Sequence, residues 1–254
     1  MEYFVHKGSI VRKIWGTADT VLLIFAGASA EFALNKAVDW LYFTGRLPAD
    51  PIGRLFSTVR YAQEIVFAEY GSALAAIDRI TAVHKGVEES RGARIPDAAY
   101  LDVLFMLIDY SIRSFELLDR KLSRAEKAEV FEVFYRVGAR MKLKGLPANY
   151  GDWESMREEY MEDNLVCSAF TADLHRQYRI SLGAFRYQVL LQSQASLAPV
   201  CVRRLIKLPS LPLMGPALVL YKGARSLKLE GLLKAMLLPA RYKIQIAGLD
   251  RPAL

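Results

Sequence analysis

Apolar residues in this chain recur three and four positions apart in one segment after another, and they seldom alternate with polar ones. The longest such stripe is Leu101, Leu104, Phe105, Ile108, Ile112 and Phe115, which at 3.6 residues per turn lies along one face of a helix. A strand with that sequence would scatter the same residues over both faces of a sheet, so the pattern forbids a β reading. Ser123-Arg124-Ala125-Glu126 is a capping box that opens a further helix, with Val130, Phe134, Val137 and Met141 as its apolar face. Leu122 is expected to end the helix before it, and Gly145-Leu146-Pro147 to stop the helix it opens. Asp152 is expected to cap an acidic helix whose buried side is Met156, Tyr160 and Met161, with its carboxylates as a solvated face. One continuous helix is expected from about Phe170 to Ser193. The expected fold class is therefore all-α, with no internal repeat and no low-complexity segment.

Composition limits what such a helical chain can be. Its 254 residues allow one large domain or two small ones. Hydrophobic content of 53% and a mean hydropathy of +0.14 are high for a soluble protein, yet the segments Val21 to Ala30 and Leu211 to Leu220 are too short or too broken to cross a bilayer. Lys7, Arg12 and Lys13 precede the apolar Val21-Leu22-Leu23-Ile24-Phe25, and Ala28-Ser29-Ala30 mimics a cleavage site. Asp19 interrupts that approach, and Trp15 to Asp19 reads as a loop and helix cap, so a cytoplasmic chain is expected. Cys167 and Cys201 are far apart and form neither Cys-x-x-Cys nor the Cys-x-x-Cys-His of covalent haem attachment, which fits a reducing compartment.

The net charge of +7 is unevenly spread: from Val200 onward ten Lys and Arg face only Glu230 and Asp250, whereas the first 199 residues hold 24 basic and 25 acidic side chains. Pro199, Pro209, Pro212 and Pro216 forbid one continuous helix at that junction. The expected organisation is a helical core over residues 1–199 and a basic amphipathic extension over 200–254. In the extension Leu229, Leu232, Leu233, Met236 and Leu237 form an apolar face among Lys222, Arg225, Lys228 and Lys234, ended by Pro239. Such a helix packs on its own protein or lies on an anionic membrane as a peripheral contact; packing is the expectation. No nucleic-acid partner is expected, because leucines and prolines dilute the basic residues where aromatics would be needed.

Few chemistries survive inspection. A di-iron bundle site needs Glu-x-x-His pairs, but Thr81 and Ala172 stand three before His84 and His175. Zinc-protease, phosphate-loop and dinucleotide fingerprints and the Gly-x-Ser-x-Gly elbow are absent. Only His6, His84 and His175 are available for histidine chemistry. Asp50 reads as an N-cap and Pro51 as the first residue of a helix that carries Arg54, Thr58, Tyr61 and Ile65 on one face. After a break at Tyr70-Gly71 a second helix places Ala73, Ile77, Ile80 and His84 on one stripe. An imidazole on an apolar stripe, with Arg and Thr on the neighbouring helix, suits a non-covalent haem pocket. The structural alternatives are a hydrogen-bonded core histidine, an arginine that lays its stem on the core, and a threonine bonded to the preceding turn.

The run Asp50-Pro51-x-Gly53-Arg54-Leu55-x-x-Thr58, followed by His84-Lys85-Gly86-Val87, resembles the rubber oxygenase (latex clearing protein) superfamily, which includes a fungal oxygenase that trims an isoprenoid side chain. The resemblance spans roughly residues 10 to 200 as a pattern of helices. It implies a globin-like helical bundle with additional helices, holding one haem b. By that resemblance His84 is the axial iron ligand and Arg54 and Thr58 are the distal pair, at once cofactor-binding and catalytic. The implied reaction is oxidative cleavage or hydroxylation, with O2, of a small apolar substrate, isoprenoid or alkene-like. Lys85, Arg91 and Arg94, the last two in a loop expected from Arg91 to Ala98, would be partners for the haem propionates.

The departures are specific. Ser57 stands where rubber-cleaving members carry a distal lysine. The upstream His-Pro and the later Trp-x-His of many members are replaced by Phe32-Ala33-Leu34-Asn35-Lys36 and Leu104-Phe105-Met106-Leu107. The glutamate base of the polyisoprene-cleaving members has only Asp39 near its place, at a different spacing. Two other functions stay open: a haem-based oxygen sensor or carrier without turnover, and a haem-free helical protein that binds lipid or membrane.

Overall fold

The computed structural model describes residues 2–208 together with residues 221, 242, 245 and 248–251. The basic amphipathic face expected around Leu229 to Leu237, and Pro209, Pro212 and Pro216, lie outside the described residues. Those residues are all-α: they hold no strand, only isolated bridges between Tyr3 and Glu69 and between Asn35 and Leu165. In chain order the helices are α1 (Ile10–Trp15), α2 (Ala18–Phe32), α3 (Asp39–Phe43) and α4 (Arg46–Ala49), with a 3-10 turn at Lys36–Val38 before α3. Then come α5 (Pro51–Phe67), α6 (Tyr70–Arg91), α7 (Asp97–Leu118) and α8 (Arg124–Arg140). The last are α9 (Tyr150–Asn164), α10 (Ala169–Leu182), α11 (Ala184–Leu197) and α12 (Val200–Leu205).

The core forms around α2 and α7. The α7 stripe read from the sequence is buried throughout, from Leu101 to Phe115. Gly27 of α2 lets the two helices close: a Cβ there would stand 2.5 Å from the ring of Tyr110, which is fully buried. Trp15 is also fully buried, and its indole N–H donates to Ser111 Oγ at 3.1 Å, so its polar tip is satisfied inside the core. The Ser123–Glu126 capping box forms as read and starts α8, whose Val130, Phe134 and Val137 are buried.

Several boundaries and one buried face differ from the sequence reading: α7 ends at Leu118, ahead of Leu122, α8 ends at Arg140, ahead of Gly145, and the break before α6 falls at Ala68-Glu69 and not at Tyr70-Gly71. Asn149, whose side chain accepts from the Asp152 backbone N–H at 3.0 Å, is the N-cap of α9, and Asp152 lies inside its first turn. The segment from Phe170 to Ser193 is two helices, because Gly183 adopts φ 76° and ψ 166°, a conformation that ends α10 and that only glycine takes without strain. Arg91 is the last residue of α6, not the first of a loop, and the turn beyond it uses Gly92 at φ 67°. The buried side of α9 is Tyr150, Trp153 and Arg157, with Met156, Tyr160 and Met161 only partly covered.

Residues near the C-terminus lie against the first helices. Gln63 Nε2 donates to the carbonyls of both Trp15 and Leu249 at 2.8 Å, and Arg251 N–H donates to the Gly16 carbonyl at 2.9 Å. Thr17 gives α2 no side-chain cap; instead Asp250 Oδ1 accepts from the Ala18 N–H at 2.8 Å, so the cap of α2 comes from the far end of the chain.

Candidate active site

Asp50 starts α5 as the sequence reads: its side chain accepts from the Gly53 N–H at 3.0 Å, and Pro51 occupies the first turn. Tyr242 Oη donates to the same carboxylate at 2.5 Å. A Cβ on residue 53 would fall 2.1 Å from Asp50 Oδ2, so Gly53 is what lets the cap sit there. The Asp-Pro-x-Gly signature is thus a device for setting the start of α5, and through it the height of Arg54 and Thr58.

The helices α5 and α6 form an antiparallel hairpin turned at Ala68 and Glu69. Arg54 precedes the end of α5 at Phe67 by thirteen residues, and His84 follows the start of α6 at Tyr70 by fourteen. At about 1.5 Å per residue both lie about 20 Å from the turn, at the same level of the hairpin. Arg54 is close enough to His84 to act on its protonation. The expected stripe of α6 also forms, with Ala73 and Ile77 fully buried, Ile80 half-buried, and burial relaxing again at His84.

The polar contacts are few and specific. Arg54 Nη1 donates to Thr58 Oγ1 at 2.9 Å, and the Thr58 hydroxyl contacts the Arg54 carbonyl at 3.4 Å. Ser57 Oγ turns back to the Gly53 carbonyl at 3.1 Å. His84 Nδ1 is buried with no hydrogen-bond partner. Burial, and then the Arg54 cation, hold the imidazole below its ordinary pKa against the opposing pull of Glu88, so it is neutral at pH 7. A neutral imidazole is the form that ligates a metal. The ring of Tyr100 meets His84 edge-on at 5.1 Å between centroids. Tyr100 Oη donates to Glu88 Oε1 at 3.4 Å, and the Ile95 N–H donates to that oxygen at 2.9 Å. Burial, reinforced by Glu88, pushes the Tyr100 hydroxyl pKa up.

His84, Arg54 and Thr58 therefore share one level of one hairpin, and Arg94, which is exposed, lies close enough to Tyr100 to act on its hydroxyl. Arg91 pairs with Asp39 at 2.7 Å and lies over the Trp40 ring at 3.9 Å, so its cation is already engaged with α3. Lys85 is exposed and makes a loose pair with Glu89 at 3.8 Å. A cleft of about 250 Å³ opens between the 3-10 turn, the start of α7 and the end of α9, floored by Asp102 with Asn35 and Asn164. His84, Arg54 and Thr58 do not line it. Among the described residues no group of three or more His, Cys, Asp or Glu could hold a metal ion, and a haem iron asks the protein for only one or two ligands.

The sequence reading missed a second polar centre. Arg157, buried in α9, makes a two-point bond to Glu31 of α2, Nη1 to Oε1 at 2.5 Å and Nη2 to Oε2 at 2.6 Å. Its Nη2 also reaches Asp109 Oδ2 at 3.1 Å, and Tyr110 Oη donates to Glu31 Oε2 at 3.0 Å. Burial opposes the Arg157 charge, but Glu31 and Asp109 outweigh it and raise its pKa. The signal was present in the spacing: Tyr150, Trp153 and Arg157 stand on one face at helical intervals, and that face is the buried one.

Residues 13–227 match the family model described as ER-bound oxygenase mpaB/B'/Rubber oxygenase, catalytic domain. No curated protein and no solved structure matches the chain.

Proposed function

The chain belongs to the family of ER-bound oxygenases mpaB/B' and rubber oxygenases, as an oxygenase catalytic domain, and on that footing we propose that it is a haem b-dependent oxygenase. Its substrate is apolar, isoprenoid or alkene-like, and the reaction is oxidative cleavage or hydroxylation with O2. The observation that supports this reading best is the hairpin itself, which sets His84, whose Nδ1 is buried without a hydrogen-bond partner, level with Arg54 and Thr58.

These residues fit a haem. His84 would hold it: its neutral ring has a buried nitrogen without a partner, on a stripe whose other members are apolar. When bound, haem supplies the centre at which O2 is activated. Thr58 Oγ1 accepts from the guanidinium of Arg54 and so fixes its orientation at the level of His84. Ser57 brings no second cation, since its hydroxyl is short and bonded to its own helix. Of Arg54, Ser57 and Thr58, only Arg54 would bring a cation to oxygen bound at a haem.

Oxygen consumption by the haem-loaded protein, measured with and without a linear isoprenoid alkene such as squalene, tests the reaction. Substrate-dependent uptake that falls by about a hundredfold or more in Arg54→Leu supports an oxygenase whose arginine aids the chemical step, a loss of the size expected for one electrostatic donor. Stable oxygen binding with no uptake across a panel of alkenes would replace the oxygenase with the sensor or carrier.

A further inference from the structure

The cleft between the 3-10 turn, the start of α7 and the end of α9 has a carboxylate at its floor that no cation meets. Asp102, in the second turn of α7, is only 6% exposed. Asn35 Nδ2 donates to its Oδ2 at 2.8 Å, and Asn164 Nδ2 lies 3.1 Å from both of its oxygens. Both donors are neutral amides, and among the described residues no Lys, Arg or His pairs with Asp102. The neighbouring cations are committed elsewhere. Arg157, whose charge acts on Asp102, is bound to Glu31 and Asp109. Lys36, which also lines the cleft, donates to the Asp163 carbonyl, and Arg91 pairs with Asp39.

This arrangement leaves a charge to be answered. Burial pushes the Asp102 carboxyl pKa up and outweighs the two amides, which favour its charged form. A cation that entered the cleft would stabilise the carboxylate where the amides alone do not. An ionised carboxylate offers about four lone-pair sites, and the amides make three contacts with it. The place that remains suits a single N–H of an ammonium better than the two-point bond of a guanidinium. Among the described residues no group of three or more His, Cys, Asp or Glu could hold a metal ion, which favours an organic cation.

The walls describe the rest of that cation. Trp40, Pro96 and Ala99 line the cleft with apolar surface, and Arg91, 3.9 Å from the centre of the Trp40 ring, holds that wall in place. A volume of about 250 Å³ is below what drug-sized ligands fill, so the hydrocarbon part is short. We propose that this cleft binds a small primary alkylammonium, its charged head on Asp102 and its hydrocarbon against Trp40, Pro96 and Ala99. The site does not include His84, Arg54 or Thr58, so it stands apart from any haem chemistry.

Benzylammonium and n-butylammonium are to be titrated calorimetrically into the full chain at constant ionic strength. Benzyl alcohol and n-butanol serve beside them as neutral counterparts of similar shape. Asp102→Asn removes the charge and keeps the shape, whereas Ala99→Leu fills the cleft and keeps the charge. Each variant is first compared with wild type by circular dichroism for unchanged helix content. Saturable binding of an ammonium is expected, with its alcohol weaker by about tenfold or more, the size of one hydrogen bond to a charged group. Both variants should lose about tenfold or more in affinity as well. Wild-type protein that binds neither ammonium overturns the proposal, and so does an alcohol that binds as tightly as its ammonium. Unchanged binding in Asp102→Asn or in Ala99→Leu would put the amine elsewhere and overturn it equally. Should Asp102→Asn lose helix content, Ala99→Leu and the alcohols carry the test.

Discussion

Replacing Arg157 with methionine keeps the length of the side chain and removes the cation that Glu31 faces. Glu31 is 2% exposed and Arg157 is 4% exposed, so no water replaces the lost guanidinium. Asp109 keeps Arg113, whose Nε donates to it at 2.6 Å, whereas Glu31 keeps only Tyr110 Oη among the bonds of this network. A buried carboxylate stripped of its partner typically costs about 3–5 kcal/mol, which for a chain of this size lowers the melting temperature by about ten degrees. The penalty is the stranded charge, not the lost contact, and that distinction can be measured. Glu31→Gln removes the charge while its amide oxygen still accepts from Tyr110. The double variant Arg157→Met/Glu31→Gln should therefore be more stable than Arg157→Met alone, a coupling opposite in sign to additivity. Urea denaturation followed by circular dichroism gives all three differences. A cost below about 1 kcal/mol for Arg157→Met, or a double variant as unstable as the sum of the singles, would refute the reasoning.

His175 should make stability depend on pH. Its Nε2 is buried without a partner, its Nδ1 meets Tyr187 Oη at 3.2 Å, and burial holds its pKa below the ordinary value. As pH falls through about 6.5 the unfolded chain takes up a proton that the native ring resists, so stability should fall with pH until the native pKa is passed. His84, also held low by burial, adds to the same dependence, so His175→Asn should reduce the slope of urea midpoints between about pH 7 and pH 5 without abolishing it; an unchanged slope would show that the His175 ring is not a source. Gly27→Ala, although alanine is the better helix former, should destabilise by about 1–3 kcal/mol in thermal melts because its methyl meets the Tyr110 ring. Asp250→Ala should cost about 1 kcal/mol, as the loss of a helix cap does, and should speed cleavage at the C-terminus in limited proteolysis. Proteolysis at the wild-type rate would mean that the cap does not hold that end.

Helix existence and type were legible because they rest on local periodicity and caps. The α7 stripe, the Ser123 capping box and the Asp50-Pro51 start of α5 each need only a few adjacent residues, and each appears as read. The boundaries that slipped needed information from elsewhere. Asn149 outcompetes Asp152 as a cap because it stands one turn earlier, and Gly183 breaks a pattern whose apolar spacing alone looks continuous. At the site, the shared face of Arg54 and Thr58 follows from spacing, and their level with His84 follows from the hairpin, whose break lies at Ala68-Glu69, two residues ahead of the Tyr70-Gly71 of the sequence reading. Spacing could not supply the engagement of Arg91 by Asp39 and Trp40, which come from a separate helix. Nor could local pattern foresee the remote cap of Asp250 or name Glu31, 126 residues away, as the partner of Arg157.

The account turns on His84 as the ligand of a haem. The most direct measurement is the absorption spectrum of the protein expressed with haem supply and purified beside His84→Ala. A Soret band in the wild type, lost or displaced in His84→Ala while helix content is unchanged, is the predicted result. A colourless wild type, or a variant that keeps the same band and position, would contradict it.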